Sequence, residues 1–474
     1  MKKDDKLENL YIETMASEGK TLAKRDGMVI FLQGGAPGDT VEAELTKIKS
    51  SFLEARVTTI QKYSSNRDEP FCLHFGTCGG CSWQHINYET QLFYKQKQVV
   101  DNLERIGGLQ LPEIKPIIPS AKTRYYRNRL DFTFSAERWR TKEEMAIVAN
   151  EGFGPAQPAL GFHIPRMYDK VFNVDACHLQ PDPSNAIRLK IKEIALAEGI
   201  DFFDLRKQIG FLRSLTIRTA NTGEVMIILQ VTYGKMEWIE KVLQTLADQF
   251  PQITSINYVI NGKRNDTFSD LDIICWKGKG YITETMPRPD SGLPLQFLVG
   301  PKSFYQTNSD QAYELYKVAW QMAELNGDEL VYDLYTGTGT IANFIASKAR
   351  KVIGLEYISA AIEDAKVNAQ INSISNTEFF AGDIKNLLDS SFLSQHGRPD
   401  VIITDPPRVG MHEDVCKMLL QAAPQRIIYV SCNPATQARD LKALSEKYTI
   451  TAVQPVDMFP HTMHVENVVR LDRI

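Results

Sequence analysis

The chain has 474 residues, with 54 Lys and Arg against 58 Asp and Glu for a formal net charge of −4. That length exceeds one ordinary domain and points to roughly two to four. Average apolar and charged fractions mark a soluble globular protein. No apolar run is long enough to span a bilayer, and Met1–Leu10 lacks the apolar centre of a signal peptide. A cytoplasmic protein with no membrane partner, acting as a monomer, is expected. Its seven cysteines are then not a disulfide framework.

In the first sixty or so residues Val41, Ala43 and Leu45 alternate with Glu42, Glu44 and Thr46, the period of a half-buried strand. Gly34–Asp39 is a turn cluster, and so few short strands close most naturally into a small β-barrel. Ser64, Ser65, Asn66 and Pro70 mark its exit. A segment with Cys72, Cys78 and Cys81 follows, then a predicted helix over about 87–106, with Tyr88, Leu92, Val99, Leu103 and Ile106 on one face and Gly107-Gly108 ending it. Lys122, Arg124, Arg127 and Arg129, with Arg138 and Arg140 beyond, are interleaved with tyrosines; this suits phosphate contact and base stacking, or equally a solvated strand edge. Strands and helices then mix to about Tyr281, with a hairpin expected around Asn221-Thr222-Gly223. Cys275 and Cys416, each among apolar neighbours, read as core residues.

Beyond Pro301 helices alternate with apolar strands at Leu330–Leu334, Lys351–Leu355, Val401–Thr404 and Arg426–Val430. That alternation predicts a parallel, doubly wound, Rossmann-like sheet. Asp333-Leu-Tyr335-Thr-Gly337-Thr-Gly339-Thr340 turns tightly from strand to helix, as a ligand-cradling backbone does. Glu356 ends the next strand, where a carboxylate takes both ribose hydroxyls, and Asp383 ends the third, where an acid meets an adenine amino group. A nicotinamide dinucleotide is the rival ligand, and the glycines alone do not decide between them.

The residues after the fourth and fifth strands decide the chemistry. In Asp405-Pro-Pro-Arg408 an arginine stands where enzymes that methylate exocyclic amines place an aromatic ring. Cys432, in Ser431-Cys432-Asn433-Pro434, sits at a strand end facing the ligand crevice. Carbon 5 of uracil is a poor nucleophile. Thiolate attack at carbon 6 makes it an enolate carbon, so one hard step becomes easier ones.

With Phe304-Tyr-Gln306-x-Asn308 and His464-Val-Glu466-Asn467, these motifs resemble the bacterial uracil-C5 RNA methyltransferases over nearly the whole chain. The resemblance implies S-adenosylmethionine as methyl donor, with Gln306, Tyr335, Glu356, Asp383 and Asp405 around cofactor and base. It further implies Cys432 as nucleophile and Glu466 as the base that removes the carbon-5 proton. His461 and His464 are rival bases. Thr340 departs from the Asn common in relatives. Cys72, Cys78, Cys81 and Cys177 resemble the ligands of the ribosomal branch's iron–sulfur segment; four thiolates suit a 4Fe–4S cluster, with structural zinc the alternative. The N-terminal part resembles a TRAM domain, an OB-like RNA-binding barrel, with Lys20, Lys24 and Arg25 as candidate contacts. Implied are a barrel over 1–63, a central α+β domain over 64–295 and a methyltransferase domain over 296–474. The implied substrate is 23S ribosomal RNA, the nearest likeness being to the enzyme for uridine 1939, with transfer RNA as the alternative. By either reading the target base must leave its stack.

Overall fold

The computed structural model describes residues 2–152 and 157–474. Lys6–Met15, Thr21–Arg25, Met28–Gln33, Thr40–Ile48 and Phe52–Lys62 form a closed barrel. Alternate residues of these strands, among them Ile12, Ile30, Leu32, Val41, Ala43, Leu45 and Leu53, fill its interior, as the two-residue period requires. The Gly34–Asp39 turn is tied to the segment that leaves the barrel, because buried Asp39 takes both the Nε and Nη2 donors of Arg67 at 2.9–3.0 Å. Gly35 has φ 76°, and a Cβ there would stand 2.3 Å from the Ile12 side chain, so only glycine fits.

The central region is a seven-stranded sheet in the order Ile273–Gly278, Ile253–Ile260, Val225–Val231, Leu212–Thr219, Arg129–Ser135, Ala159–Ile164, Met167–Asn173. Helices Ser184–Ala197 and Met236–Gln249 cover it. The hairpin predicted around Asn221 is present, Leu212–Thr219 pairing antiparallel with Val225–Val231. Cys275 is exposed rather than core: it lies on the edge strand of this sheet, where one face looks to solvent. Cys416 is buried, as expected.

The C-terminal sheet runs Thr377–Ala381, Lys351–Glu356, Leu330–Leu334, Val401–Thr404, Arg426–Ser431, Glu466–Arg473, Tyr448–Val456. Its first five strands are parallel and Glu466–Arg473 pairs antiparallel with Arg426–Ser431. A separate hairpin, Ile282–Pro287 with Pro294–Val299, spans residue 295 and is held to this domain by Asn368 and Asn372, whose side-chain oxygens each accept a backbone N–H from it at 2.8 Å.

The helix after the cysteine segment is Tyr88–Arg105, N-capped by Asn87. Its buried face differs from the predicted one. Gln91, Lys95, Val99 and Leu103 are buried, whereas Ile106 is 50% exposed. Val99 and Leu103 join the apolar core beneath the methyltransferase sheet, although they lie within 64–295. The face turns because two polar residues find partners inside. Lys95 Nζ donates to Asp457 Oδ1 at 2.6 Å and to the Phe459 carbonyl at 2.9 Å, and the Tyr88 hydroxyl donates to Asp457 Oδ2. Gln91 holds the backbone N–H of His461 at 2.8 Å.

Removing one member of a buried ion pair leaves the other charge uncompensated, which costs about 3–5 kcal/mol, whereas exposed helical pairs are worth under about 1 kcal/mol. Urea unfolding should therefore show Lys95→Met to be destabilised by several times more than Lys97→Met, which breaks only the partly exposed Lys97–Asp101 pair. Equal losses would mean that Lys95 contributes no more than a surface charge.

Candidate active site

The crevice opens at the carboxyl ends of the parallel strands, and each candidate residue reaches it by its own local device. Tyr335 follows the strand Leu330–Leu334 with φ 62°, and Gly337 and Gly339 continue the left-handed turn. That turn aims the Gly337 N–H at Glu356 Oε2 (3.2 Å), while Glu356 Oε1 accepts from the Ile358 N–H. Beneath the loop, buried Asp333 accepts from the Thr336 hydroxyl and the Ala342 N–H with one oxygen and leaves the other without a partner. Asp383 caps the short helix Ile384–Leu387. Asp405 ends Val401–Thr404, and Gln306 lies in the loop before helix Ser309–Ala323. Gln306, Tyr335, Glu356, Asp383 and Asp405 are all half-buried, as residues lining an open cleft are.

The chemical half is made by strand register. Ser431 pairs antiparallel with Asn467, so Cys432, one residue beyond, lies across the strand end from Glu466. Burial pushes the Cys432 thiol up to about 11, with the Glu466 and Asp405 carboxyls adding to the shift and Arg408 opposing it. Burial likewise raises Asp405 and Asp333 to about 7 and holds Glu466 well above the usual carboxylic range, where Asp405 adds to the shift. This crowding of carboxyls favours a bound cation, and half-buried Glu356 retains lone pairs for hydroxyl donors, so the residues present fit a sulfonium nucleoside.

The rival bases are differently placed. His461 is structural: its carbonyl accepts from the Ser82 and Trp83 N–H groups and its ring meets the Gln91 side chain at 3.2 Å. His464 is pushed down to about 4 by burial and by Arg408, whose Nη2 lies 3.5 Å from its Nδ1. Tyr316 was not singled out from the sequence. It is buried on helix Ser309–Ala323, its hydroxyl bonded to the Gln306 side chain and close to Asp405, Asp333 and Glu466. Its spacing there is that of an ordinary core residue, so no sequence signal marks it.

Cys72, Cys78, Cys81 and Cys177 come together around one cavity of about 220 Å³, beside Arg127. Burial raises Cys78 and Cys177 and pushes Cys81 up to about 12, and the sulfurs also repel one another's charged forms. The Gly80 N–H points at Cys78 Sγ (3.5 Å) and the Leu179 and Gln180 N–H groups at Cys177. Among the described residues no three His, Cys, Asp or Glu are gathered closely enough to hold a single metal ion.

The arginines expected to meet RNA divide. Arg124 is exposed and lies over the Phe71 ring at 3.8 Å, and half-buried Arg127 lies over Phe459. Arg129 pairs with Asp131, Arg138 with Glu144 and Arg140 with Glu137. On the barrel, Lys20, Lys24 and Arg25 pair with Glu18, Glu13 and Asp26.

A doubly wound sheet with an acidic, glycine-turned crevice at its carboxyl edge defines an S-adenosylmethionine-dependent methyltransferase. Residues 272–474 match the tRNA (uracil-5-)-methyltransferase family, and residues 8–58 match the TRAM domain. The chain is 55% identical to an uncharacterised RNA methyltransferase of Bacteroides thetaiotaomicron over 97% of its own length and 100% of that protein's. It is 37% identical to one of Chlorobaculum tepidum over 98% and 96%. The crystal structure of the Pyrococcus abyssi tRNA (uracil-54, C5)-methyltransferase, in complex with S-adenosyl-L-homocysteine, superposes with a TM-score of 0.73 at 28% identity, covering 98% of this chain and 100% of that one. The chain belongs to the uracil-C5 RNA methyltransferase family.

A carboxyl raised by burial contributes most stability below its unfolded value, near 3.8, and loses that contribution as pH climbs to its folded value, here about 7. Asp405→Asn should therefore unfold at a higher temperature than the parent at pH 8, with the gain shrinking towards pH 5. A pH-independent difference in melting temperature would show that the Asp405 carboxyl is not held neutral by its surroundings.

Proposed function

We propose that the chain methylates carbon 5 of a uridine in 23S ribosomal RNA, uridine 1939 being the implied position, with Cys432 as nucleophile and Glu466 as base. What carries this reading is the antiparallel register that sets Cys432 opposite Glu466 beside Asp405. S-adenosylmethionine supplies an electrophilic methyl group. Once its thiol proton has passed to solvent, the Cys432 thiolate bonds to carbon 6 of a base flipped into the crevice, and the C5=C6 electron pair moves towards the O4 carbonyl. Carbon 5 would then take the methyl, the S–CH3 electron pair staying on sulfur to leave S-adenosyl-L-homocysteine. Glu466 accepts the C5 proton, the C5=C6 bond re-forms and the S–C6 bond breaks, which returns the thiolate. Gln306, Tyr335, Glu356, Asp383 and Asp405 bind and orient cofactor and base around this centre. Cytoplasmic ribosomal RNA requires no membrane passage, and no helix among the described residues is long and apolar enough to cross one.

A transfer-RNA substrate is the second reading, because the superposed Pyrococcus abyssi enzyme is one for tRNA uracil-54. Mass-spectrometric mapping of ribosomal and transfer RNA from a strain lacking the gene, then re-methylation by purified protein, separates the two.

Loss of a general base costs about 10² to 10⁴ in rate. Glu466→Gln is expected to transfer one methyl and then stall, leaving methylated RNA covalently attached. Mass spectrometry of the denatured complex would read protein plus RNA plus one methyl. Normal turnover of this variant, or the same stalled species in His464→Ala, would remove Glu466 from the role. Cys432→Ala should form no adduct while still binding RNA.

We further propose that Cys72, Cys78, Cys81 and Cys177 hold a 4Fe–4S cluster through their thiolates; the reading is supported by four cysteines set around one cavity rather than converging on one ion, and by N–H groups aimed at sulfur. When bound, it would cross-link the cysteine segment to the central domain. Protein prepared without air should be brown and contain iron and sulfide in near-equal amounts. Cys177→Ser should bleach it and Cys275→Ser should not. Stoichiometric zinc without iron would overturn the cluster in favour of zinc.

A further inference from the structure

The loop that carries Gln306 takes hydrogen bonds at Gln306 and Thr307 from the residue that leads into the central-sheet strand Arg129–Ser135. Asn128 donates its backbone N–H to the Thr307 carbonyl at 2.8 Å and its Nδ2 to the Gln306 carbonyl at 2.8 Å. The same Nδ2 reaches Ser309 Oγ at 2.8 Å. Ser309 in turn donates to Glu284 Oε1 at 2.9 Å, and the Asn221 N–H points at Glu284 Oε2. Glu284, on the hairpin strand Ile282–Pro287, is 1% exposed. Beside it, buried Arg218 donates to the Ser303 carbonyl at 2.7 Å, and the Asn128 carbonyl accepts from the Thr219 N–H.

Two features make this more than packing. Asn128 grips the backbone on both sides of the peptide following Gln306, which fixes where the glutamine side chain starts. That side chain is left for the Tyr316 hydroxyl and the crevice. A shift of about 1 Å in such a group is enough to cost about a hundredfold in function.

We propose that Asn128, braced by Ser309 and the buried carboxyl of Glu284, is a positioning residue for Gln306, so that the central sheet sets the stance of the cofactor-side glutamine. The proposal rests on the reading of Gln306 as a cofactor-binding residue.

The test is calorimetric binding of S-adenosylhomocysteine to the full chain, for the parent, Asn128→Ala, Gln306→Ala and the double variant. Each single change should weaken binding about tenfold, the worth of one well-placed hydrogen bond. If Asn128 acts through Gln306, the double variant binds no more weakly than Gln306→Ala alone; losses that multiply to about a hundredfold overturn the proposal. Ser309→Ala, which removes the brace and leaves Asn128 in place, guards against a folding defect in Asn128→Ala. Its loss of affinity should likewise vanish when Gln306 is already alanine, and unchanged affinity would overturn the bracing role. Unchanged affinity in Gln306→Ala would overturn the cofactor reading of Gln306 and the proposal with it. Absence of uracil methylation by the parent protein would sink the reaction assignment alone, since the calorimetric coupling is read without RNA.

Discussion

The buried contact between Lys95 and Asp457, whose side chains have no exposed surface, is the constraint on which the rest of the site depends. Two charges are taken out of water only if they meet each other and their remaining hydrogen-bonding capacity is filled. Here Tyr88 and the Phe459 carbonyl do the filling. The pair fixes helix Tyr88–Arg105 against the end of strand Tyr448–Val456, and so fixes the segment that leads to His461 and Glu466. From His461 the linkage passes by backbone hydrogen bonds to Ser82 and Trp83, next to Cys81. One ion pair thus joins the cysteine cavity and the strand end that carries Glu466.

Around Cys432 the logic is reversed, because acidic groups are gathered and burial favours their neutral forms. Asp333, Asp405 and Glu466 lie close together at the crevice, and burial holds all three above the ordinary carboxylic range. Their cost to folding is the counterpart of their use. A cationic ligand brought beside these carboxyls would favour their ionised forms and the Cys432 thiolate. Arg408, with its carbonyl held by Asn433 and Thr436, already supplies one opposing charge. The Cys432 thiol and the Glu466 carboxyl are therefore placed where an arriving charge would shift their protonation.

Much of this was legible in the residues because short motifs at strand ends need no tertiary knowledge to be placed. The glycine turn after Leu334, Glu356 one strand over, Asp405 and Cys432 each follow an apolar strand, and a doubly wound sheet brings such ends to one edge. The misreadings have one cause. Apolar periodicity put Tyr88, Leu92, Val99, Leu103 and Ile106 on the inner face; Ile106 is exposed, and the face also takes in Gln91 and Lys95 because their partners, His461 and Asp457, lie more than 360 residues away. Apolar neighbours placed Cys275 in the core, but the strand lies at a sheet edge. The arginine-rich stretch, open between an RNA-contacting surface and a solvated strand edge, is divided by carboxylates only two to six residues along the chain, Asp131, Glu144 and Glu137.

By itself, then, the sequence determined the barrel, the doubly wound sheet and the strand ends at which Tyr335, Glu356, Asp405 and Cys432 stand, since these follow from local turn geometry and from residue periodicity. Tertiary structure alone decided that Glu466 faces Cys432, that four cysteines spread over about a hundred residues share one cavity, and that Asn128 holds the Gln306 loop. Strand register and contacts between distant segments are properties of the packed chain, and no local pattern encodes which remote partner will satisfy a buried polar group.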